Sequence, residues 1–186
     1  MRIIGGEAKG RRLFAPDGTE TRPTADRTRE SLFNILSARI PDSRVMDLFG
    51  GTGALALEAL SRGAAFAAVS DVSAAAVRVI ERNAEAVLKS DRARIQILRA
   101  DYRQAIRSLA GKEFDLVFLD PPYRMSDVYS DAVNCLAEAK MLSRDAVIVM
   151  ERAKDVHISL RDDMVIYDER AYRDTVIAFA KWRLAL

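Results

Sequence analysis

One cysteine, one histidine and one tryptophan occur in 186 residues. The lone Cys135 excludes an internal disulfide and a cysteine-cluster metal site. The lone His157 argues against zinc-hydrolase chemistry and against a histidine-centred triad. No apolar run approaches the roughly 20 residues that a membrane-spanning helix needs. The opening MRIIGGEAKGRR contains no hydrophobic region of the secretory type. Together these absences predict a cytoplasmic protein in a reducing compartment, without a metal and without a membrane partner. Strong net charge is missing too: the total is +2. It is unevenly spread, however. Residues 1–44 hold nine basic and six acidic side chains, against 20 and 21 in residues 45–186. Eight of those nine are arginine, the side chain suited to bidentate phosphate contact.

What is present is an alternation of strand and helix after residue 43. RVMDLF (44–49), AFAAVSD (65–71), ARIQILRA (93–100), FDLVFLD (114–120) and AVIVMER (146–152) read as strands. Between them lie helical stretches over 53–63, 73–90, 102–110 and 126–142, with Ser73 a cap for the second. Continuous apolar strands, each followed by a helix, predict a parallel sheet covered on both faces, an α/β architecture of Rossmann-like kind. MVIYDERAY and DTVIAFAKWRL predict a closing antiparallel pair around Arg173 and Asp174. Residues 1–43 read as an extension to a single unit over 44–186. RIIGG and GRRLFA suit a small hairpin, and a helix follows, capped by Thr24 or Asp26, with Leu32, Phe33, Ile35 and Leu36 buried.

VMDLFGGTGALALEAL sets three glycines between a strand and a helix, where backbone can approach a ligand and helix N–H groups are free. Asp47 precedes the glycines. Asp71 ends the next strand, placed for two ribose hydroxyls, and Asp101 ends the third, placed for an adenine amine. An anion beside the loop disfavours a pyrophosphate cofactor and suits a cationic one such as S-adenosylmethionine. Asp47, Phe49, Gly51, Thr52, Gly53, Asp71, Asp101 and Tyr102 are the cofactor-binding candidates.

The fourth strand ends in Asp120, Pro121, Pro122 and Tyr123. Two prolines fix two φ angles and remove two donors. The Asp120 carboxylate and the Pro121 carbonyl can accept from a planar amine, with Tyr123 stacked on the ring that carries it. Acceptors on the amine hydrogens favour positive charge on nitrogen and aim its lone pair at a sulfonium methyl. Asp120 can also take the departing proton, directly or through water.

D-L-F-G-G-T-G, a strand-end acid and D-P-P-Y, in that order, resemble the class I S-adenosylmethionine-dependent methyltransferases acting on amino groups. RIIGG…GRRL, TRPTADRTRESLFNIL, VMDLFGGTGALALEALSRGA and FDLVFLDPPY resemble, across nearly the whole chain, the RsmD family of 16S rRNA guanine-N2 methyltransferases. The resemblance implies a seven-stranded, mostly parallel sheet with an N-terminal hairpin, a small-subunit rRNA guanine as substrate, and S-adenosylhomocysteine as product. It carries Gly51 and Gly53 to the cofactor loop, Asp71 to ribose, Asp101 to adenine, and Asp120 to Tyr123 to catalysis. Arg22 and Thr24 would help shape the site. Gly50 and Thr52 stand where alanine and serine are commoner, and Asp71 where glutamate is. Guanine presents two adjacent donors, N1–H and the N2 amine, to a carboxylate, although DNA adenine methyltransferases also carry D-P-P-Y. Lys9, Arg11, Arg12, Arg27 and Arg29 are further candidates for RNA phosphate, holding the strand around a splayed-out base. The expected partner is 16S rRNA in an assembled or assembling small subunit, met by a monomer. DNA adenine methylation, or RNA binding by an inactive relative of these enzymes, are the alternatives. Cys135 and Trp182 are expected to pack, and His157 to have no chemical role.

Overall fold

In the computed structural model, which describes residues 1–15, 23–121, 126–173 and 175–183, apolar runs become seven strands of one sheet. They are β1 (Arg44–Asp47), β2 (Phe66–Asp71), β3 (Ile95–Arg99), β4 (Phe114–Leu119), β5 (Leu142–Ala153), β6 (Met164–Ala171) and β7 (Thr175–Trp182). The helices are α1 (Pro23–Ile35), α2 (Ala54–Ser61), α3 (Ala74–Leu88), α4 (Tyr102–Ser108) and α5 (Ser126–Glu138). Strand order is β3-β2-β1-β4-β5-β7-β6. β1 to β5 run parallel, and β7 is antiparallel to both β5 and β6. The chain therefore grows outward through β2 and β3, returns to the other side of β1, and leaves a topological switch point between β1 and β4. Ligands of open α/β sheets bind at such a point, beyond the strand C-termini.

Both faces of the central strands are buried. One buries Val45, Leu116, Phe118, Val149 and Phe179 under Phe33 of α1, Leu57 and Leu60 of α2 and Ile80 of α3. The other buries Met46, Val117, Leu119, Ile148 and Met150 under Ile106 of α4 and Val133 and Leu136 of α5. α3 shows why such helices form: Ser73 Oγ accepts the Ala76 N–H at 3.3 Å, and Ile80, Ala84, Val87 and Leu88 make one buried stripe.

Several details differ from the sequence reading. α1 begins at Pro23, so Thr24 and Asp26 lie inside the first turns rather than at the cap. Proline suits a first helical position, since its missing N–H would be unpaired there anyway. Ile35 is 41% exposed, whereas Leu32, Phe33 and Leu36 are buried, because the stripe closes on the 3-4 spacing. β1 stops at Asp47 and α5 at Glu138, and β5 begins earlier, at Leu142. The N-terminal hairpin reduces to a single bridge between Arg2 and Arg12. The closing antiparallel pair forms where expected.

That narrow hairpin is held from below. Buried Glu58 of α2 accepts the Ile4 and Gly5 N–H groups at 2.7 and 2.8 Å, and the Arg62 Nε–H at 2.7 Å. The approach is so close that a Cβ at Gly6 would lie 1.8 Å from the Ser61 carbonyl oxygen. Ile3 and Leu13 add their side chains to the core under α1.

Candidate active site

Four strands deliver carboxylates to one edge of the sheet. Asp47 and Asp71 end β1 and β2, Asp101 follows β3, and Asp120 follows β4. Because these strands are adjacent and parallel, the four acids line the crevice at and beside the switch point.

The glycine loop lies between β1 and α2. Gly50 donates to the Ser70 carbonyl at 2.8 Å, and a Cβ there would lie 2.4 Å from Val69 Cγ1. Gly53 caps α2 at φ 76°, a left-handed conformation that glycine adopts without strain. Asp71 fixes the outer side of the loop: Oδ2 accepts the Gly51 N–H at 2.9 Å and Oδ1 accepts the Ser73 N–H at 2.8 Å. Both oxygens keep lone pairs for further donors. Thr52 turns the other way. Its hydroxyl donates to Met1 Sδ at 3.6 Å and its carbonyl accepts from Asn83 at 2.8 Å.

Asp101 caps α4, accepting the Gln104 N–H through Oδ1 at 2.8 Å. The Phe49 and Tyr102 rings lie beside each other, centroids 5.8 Å apart, and the Tyr102 hydroxyl donates to Asp131 at 2.7 Å. These two rings, tilted 39° to each other, form an aromatic pair next to Asp101.

Asp47 is buried, and its carboxyl is pushed up to about 7. Loss of solvent is the main cause, the nearby Asp71 charge adds to it, and the Phe49 N–H, 3.2 Å from Oδ1, opposes it. Asp120 also titrates above the ordinary carboxylate range. The crevice that walls it in desolvates it, and Glu151 and Asp47 repel its charge. Its side chain is nonetheless exposed to solvent. Pro121 beside it is buried. Pro122, Tyr123 and Arg22 lie outside the described residues, as does the side chain of Thr24.

The basic candidates divide. Lys9, Arg11, Arg12 and Arg27 are exposed. Arg29 is only 7% exposed: it donates to the Arg2 carbonyl at 2.6 Å and pairs with Asp26 at 3.1 Å. It ties α1 to the hairpin instead of meeting phosphate. Trp182 is half-buried, its Nε1–H donating to the Ser143 carbonyl at 3.1 Å, and Cys135 packs partly buried on α5. His157 is exposed in a loop.

Two residues enter the site that sequence reasoning did not select. Glu151 follows Met150, the partner of Leu119 across β4 and β5, and so stands next to Asp120. The signal for it was available, since it is one more acid near a strand end. Asn83 is fully buried in α3 and accepts the Phe14 N–H at 2.7 Å while donating to the Phe14 and Thr52 carbonyls at 2.9 and 2.8 Å. An isolated asparagine in a helix carries no sequence signal for that clamp.

Among the described residues no helix is long and apolar enough to cross a membrane. Residues 1–181 match the protein family described as Conserved hypothetical protein 95. Ribosomal RNA small subunit methyltransferase D of Escherichia coli (strain K12) is 39% identical over 151 residues, 81% of this chain and 74% of that one. The Bacillus subtilis (strain 168) protein YlbH is 35% identical over 98% of this chain and 100% of its own. Among solved structures, Escherichia coli yhhF superposes with a TM-score of 0.83 at 30% identity, covering 100% of this chain and 99% of its own. With the glycine loop, the strand-end acids and the seven-stranded sheet all in place, the chain belongs to the RsmD family of rRNA methyltransferases.

Proposed function

We propose that this protein transfers a methyl group from S-adenosylmethionine to the exocyclic N2 amine of a guanine in 16S rRNA of the small ribosomal subunit. The observation that carries this reading is the adjacency of two features across the switch point: the glycine loop after β1, and the Asp120–Pro121 pair after the neighbouring β4. The chain's relatedness to small-subunit rRNA methyltransferases supports the substrate class.

The residues present fit the cofactor. A loop without side chains at Gly51 and Gly53 admits a ligand, Asp71 has lone pairs left for ribose hydroxyls, and Asp101 has a carboxylate oxygen, Oδ2, left for an adenine amine. Buried Asp47 favours a cationic ligand over a pyrophosphate, because a second anion would meet a carboxylate in low dielectric. Bound S-adenosylmethionine supplies an electrophilic methyl on a sulfonium.

The chain supplies orientation. The amine lone pair of guanine is delocalised into the ring and reacts poorly. Asp120 and the Pro121 carbonyl accept its two hydrogens, which favours charge build-up on nitrogen and fixes the direction of attack. Such positioning needs the base out of its stack, and exposed Lys9, Arg11, Arg12 and Arg27 would hold the flanking phosphates. So small a chain has little surface with which to choose one guanine, and the folded subunit surface is expected to supply the remaining specificity.

The test is transfer of labelled methyl to small subunits lacking the modification, with protein-free 16S rRNA and duplex DNA alongside and nucleoside analysis of the product. The expected product is N2-methylguanosine in subunit rRNA, reduced at least ~100-fold by Asp120→Ala, on the scale of losing an electrostatic stabiliser. Label in N6-methyladenine of DNA would overturn the substrate. Equal rates on protein-free rRNA would overturn the dependence on the subunit.

A further inference from the structure

The crevice contains one carboxylate that none of the roles above uses. Glu151 lies near the C-terminal end of β5, one residue past the Leu119–Met150 pair. Phe118 and Val149 point to the same sheet face, and two-residue alternation carries Asp120 and Glu151 onto that face as direct neighbours. Glu151 is half-buried and has no ion-pair partner among the described residues. Its neighbour Arg152 turns away, pairing with Glu169 at 2.8 Å. A half-buried carboxylate with no cation costs stability, so its position beside a second carboxylate calls for a chemical reason.

The surroundings hold it in place. Tyr129 of α5 donates its hydroxyl to the Glu151 backbone carbonyl, and the Thr175 side chain of β7 hydrogen-bonds the Glu151 carboxylate. The charged and titratable groups around the pair are Asp47 from β1, the Tyr129 hydroxyl from α5 and Arg152 from β5 itself. Three of these five groups, counting Asp120 and Glu151 with them, are carboxyls and only Arg152 is a cation, so ionising all three carboxyls together is disfavoured.

We propose that Asp120 and Glu151 act as one carboxylate pair, in which Asp120 holds the target amine and Glu151 receives the proton that the amine gives up. This rests on the methyl-transfer reading above. The balance is simple. The nitrogen lone pair forms the N–C bond to the methyl carbon, and the S–C pair stays on sulfur, leaving a neutral thioether. The nitrogen is then cationic with one proton in excess. That proton passes to Asp120, on to ionised Glu151, and out to solvent through the crevice mouth. Two adjacent carboxylates, once both ionised, bind a proton more tightly than either would alone, which makes the pair a stronger base for the proton the amine gives up. Burial raises both groups, and for Asp120 the charges of Glu151 and Asp47 add to it.

Glu151→Gln keeps the shape and can still accept from Thr175, while removing the proton acceptor. Two measurements test the pair. Carbon-detected NMR titration of the Asp120 carboxyl, on the protein alone, should move to lower pH in Glu151→Gln, because a like charge has been removed. Single-turnover methyl transfer to small subunits should fall at least ~10-fold at pH 7 with unchanged S-adenosylmethionine affinity, and the rate should lose the pH dependence of the wild type. An unmoved Asp120 titration overturns the pair. A Glu151→Gln rate within twofold of wild type, with the same pH profile, overturns the proton-acceptor role while leaving the methyltransferase reading standing. Wild-type protein that transfers no methyl to the subunit overturns that reading, and the acceptor role with it, whatever the titration shows.

Discussion

Asp47 sits 1% exposed at the end of β1 with one N–H donor, that of Phe49. Its carboxyl titrates at about 7 in the folded chain, against the ordinary value of 3.8. Between those values the folded chain keeps a proton that the unfolded chain has lost. Stability therefore falls as pH rises through that window, and the loss is complete above the folded value. Asp47→Asn retains an acceptor for Phe49 and removes the charge. At pH 8 the variant should be more stable than wild type by up to about 4 kcal/mol, at ~1.4 kcal/mol per pKa unit. The advantage should vanish below pH 4. Urea unfolding of the two proteins across that range decides it, and parallel stability curves would refute the assignment. A cationic ligand has the opposite preference, so cofactor affinity should rise with pH in wild type and stay flat in Asp47→Asn. The position of such acids was legible in the sequence because each follows an apolar run. The fate of Arg29 was not. A basic residue's exposure depends on which neighbours fold over it, here the Arg2 carbonyl and Asp26.

At the scale of elements, the N-terminal segment and the glycine loop are joined through α3. Asn83 offers Phe14 both an acceptor and a donor, as a neighbouring strand would, and its amide also holds the Thr52 carbonyl. The Arg82 guanidinium stacks on the Phe14 ring, 3.3 Å from its centroid. Asn83→Ala leaves buried backbone groups without partners and should cost about 2–4 kcal/mol. In a chain of this size that corresponds to a melting-point drop of roughly 5–10 °C. It should also weaken cofactor binding, because Thr52 belongs to the loop. A variant that melts within a degree of wild type and binds cofactor equally would show that the clamp is dispensable. Strands and helices themselves were readable from apolar runs and turn residues, since both faces of a parallel sheet are buried. Their ends were less so. β1 stops at Asp47 because Phe49 and the glycines are drawn into the ligand loop, and α1 starts at Pro23, ahead of both residues expected to cap it. The hairpin's shortness was also hidden, because its anchor is Glu58, 54 residues away from Ile4.

For the molecule as a whole, the charge asymmetry seen along the chain becomes an asymmetry in space. Lys9, Arg11 and Arg12 project from the hairpin, whose backbone is held on the outer side of α2 by Glu58 and Ser61. The candidate crevice, in contrast, gathers Asp47, Asp71, Asp101, Asp120 and Glu151 at the strand ends. On the proposed function, an acidic crevice would repel the phosphate backbone that brings the base to it, and affinity for RNA would come from elsewhere on the surface. The hairpin is the place the charges point to, and among the described residues none of the Lys9, Arg11 and Arg12 side chains hydrogen-bonds the glycine loop. Reversing Lys9, Arg11 and Arg12 to glutamate should therefore separate the two binding functions. KM for the small subunit is expected to rise at least ~10-fold while S-adenosylmethionine affinity and the unfolding free energy stay near wild type. If all three side chains meet phosphates, the log–log dependence of subunit affinity on salt should become shallower by about 2, at ~0.7 per contact to a single strand. An unchanged salt slope would mean that the hairpin does not touch RNA phosphate. The excess of arginine and lysine near the N-terminus would then be a solvated face, and Arg27 on α1 would be the next residue to reverse.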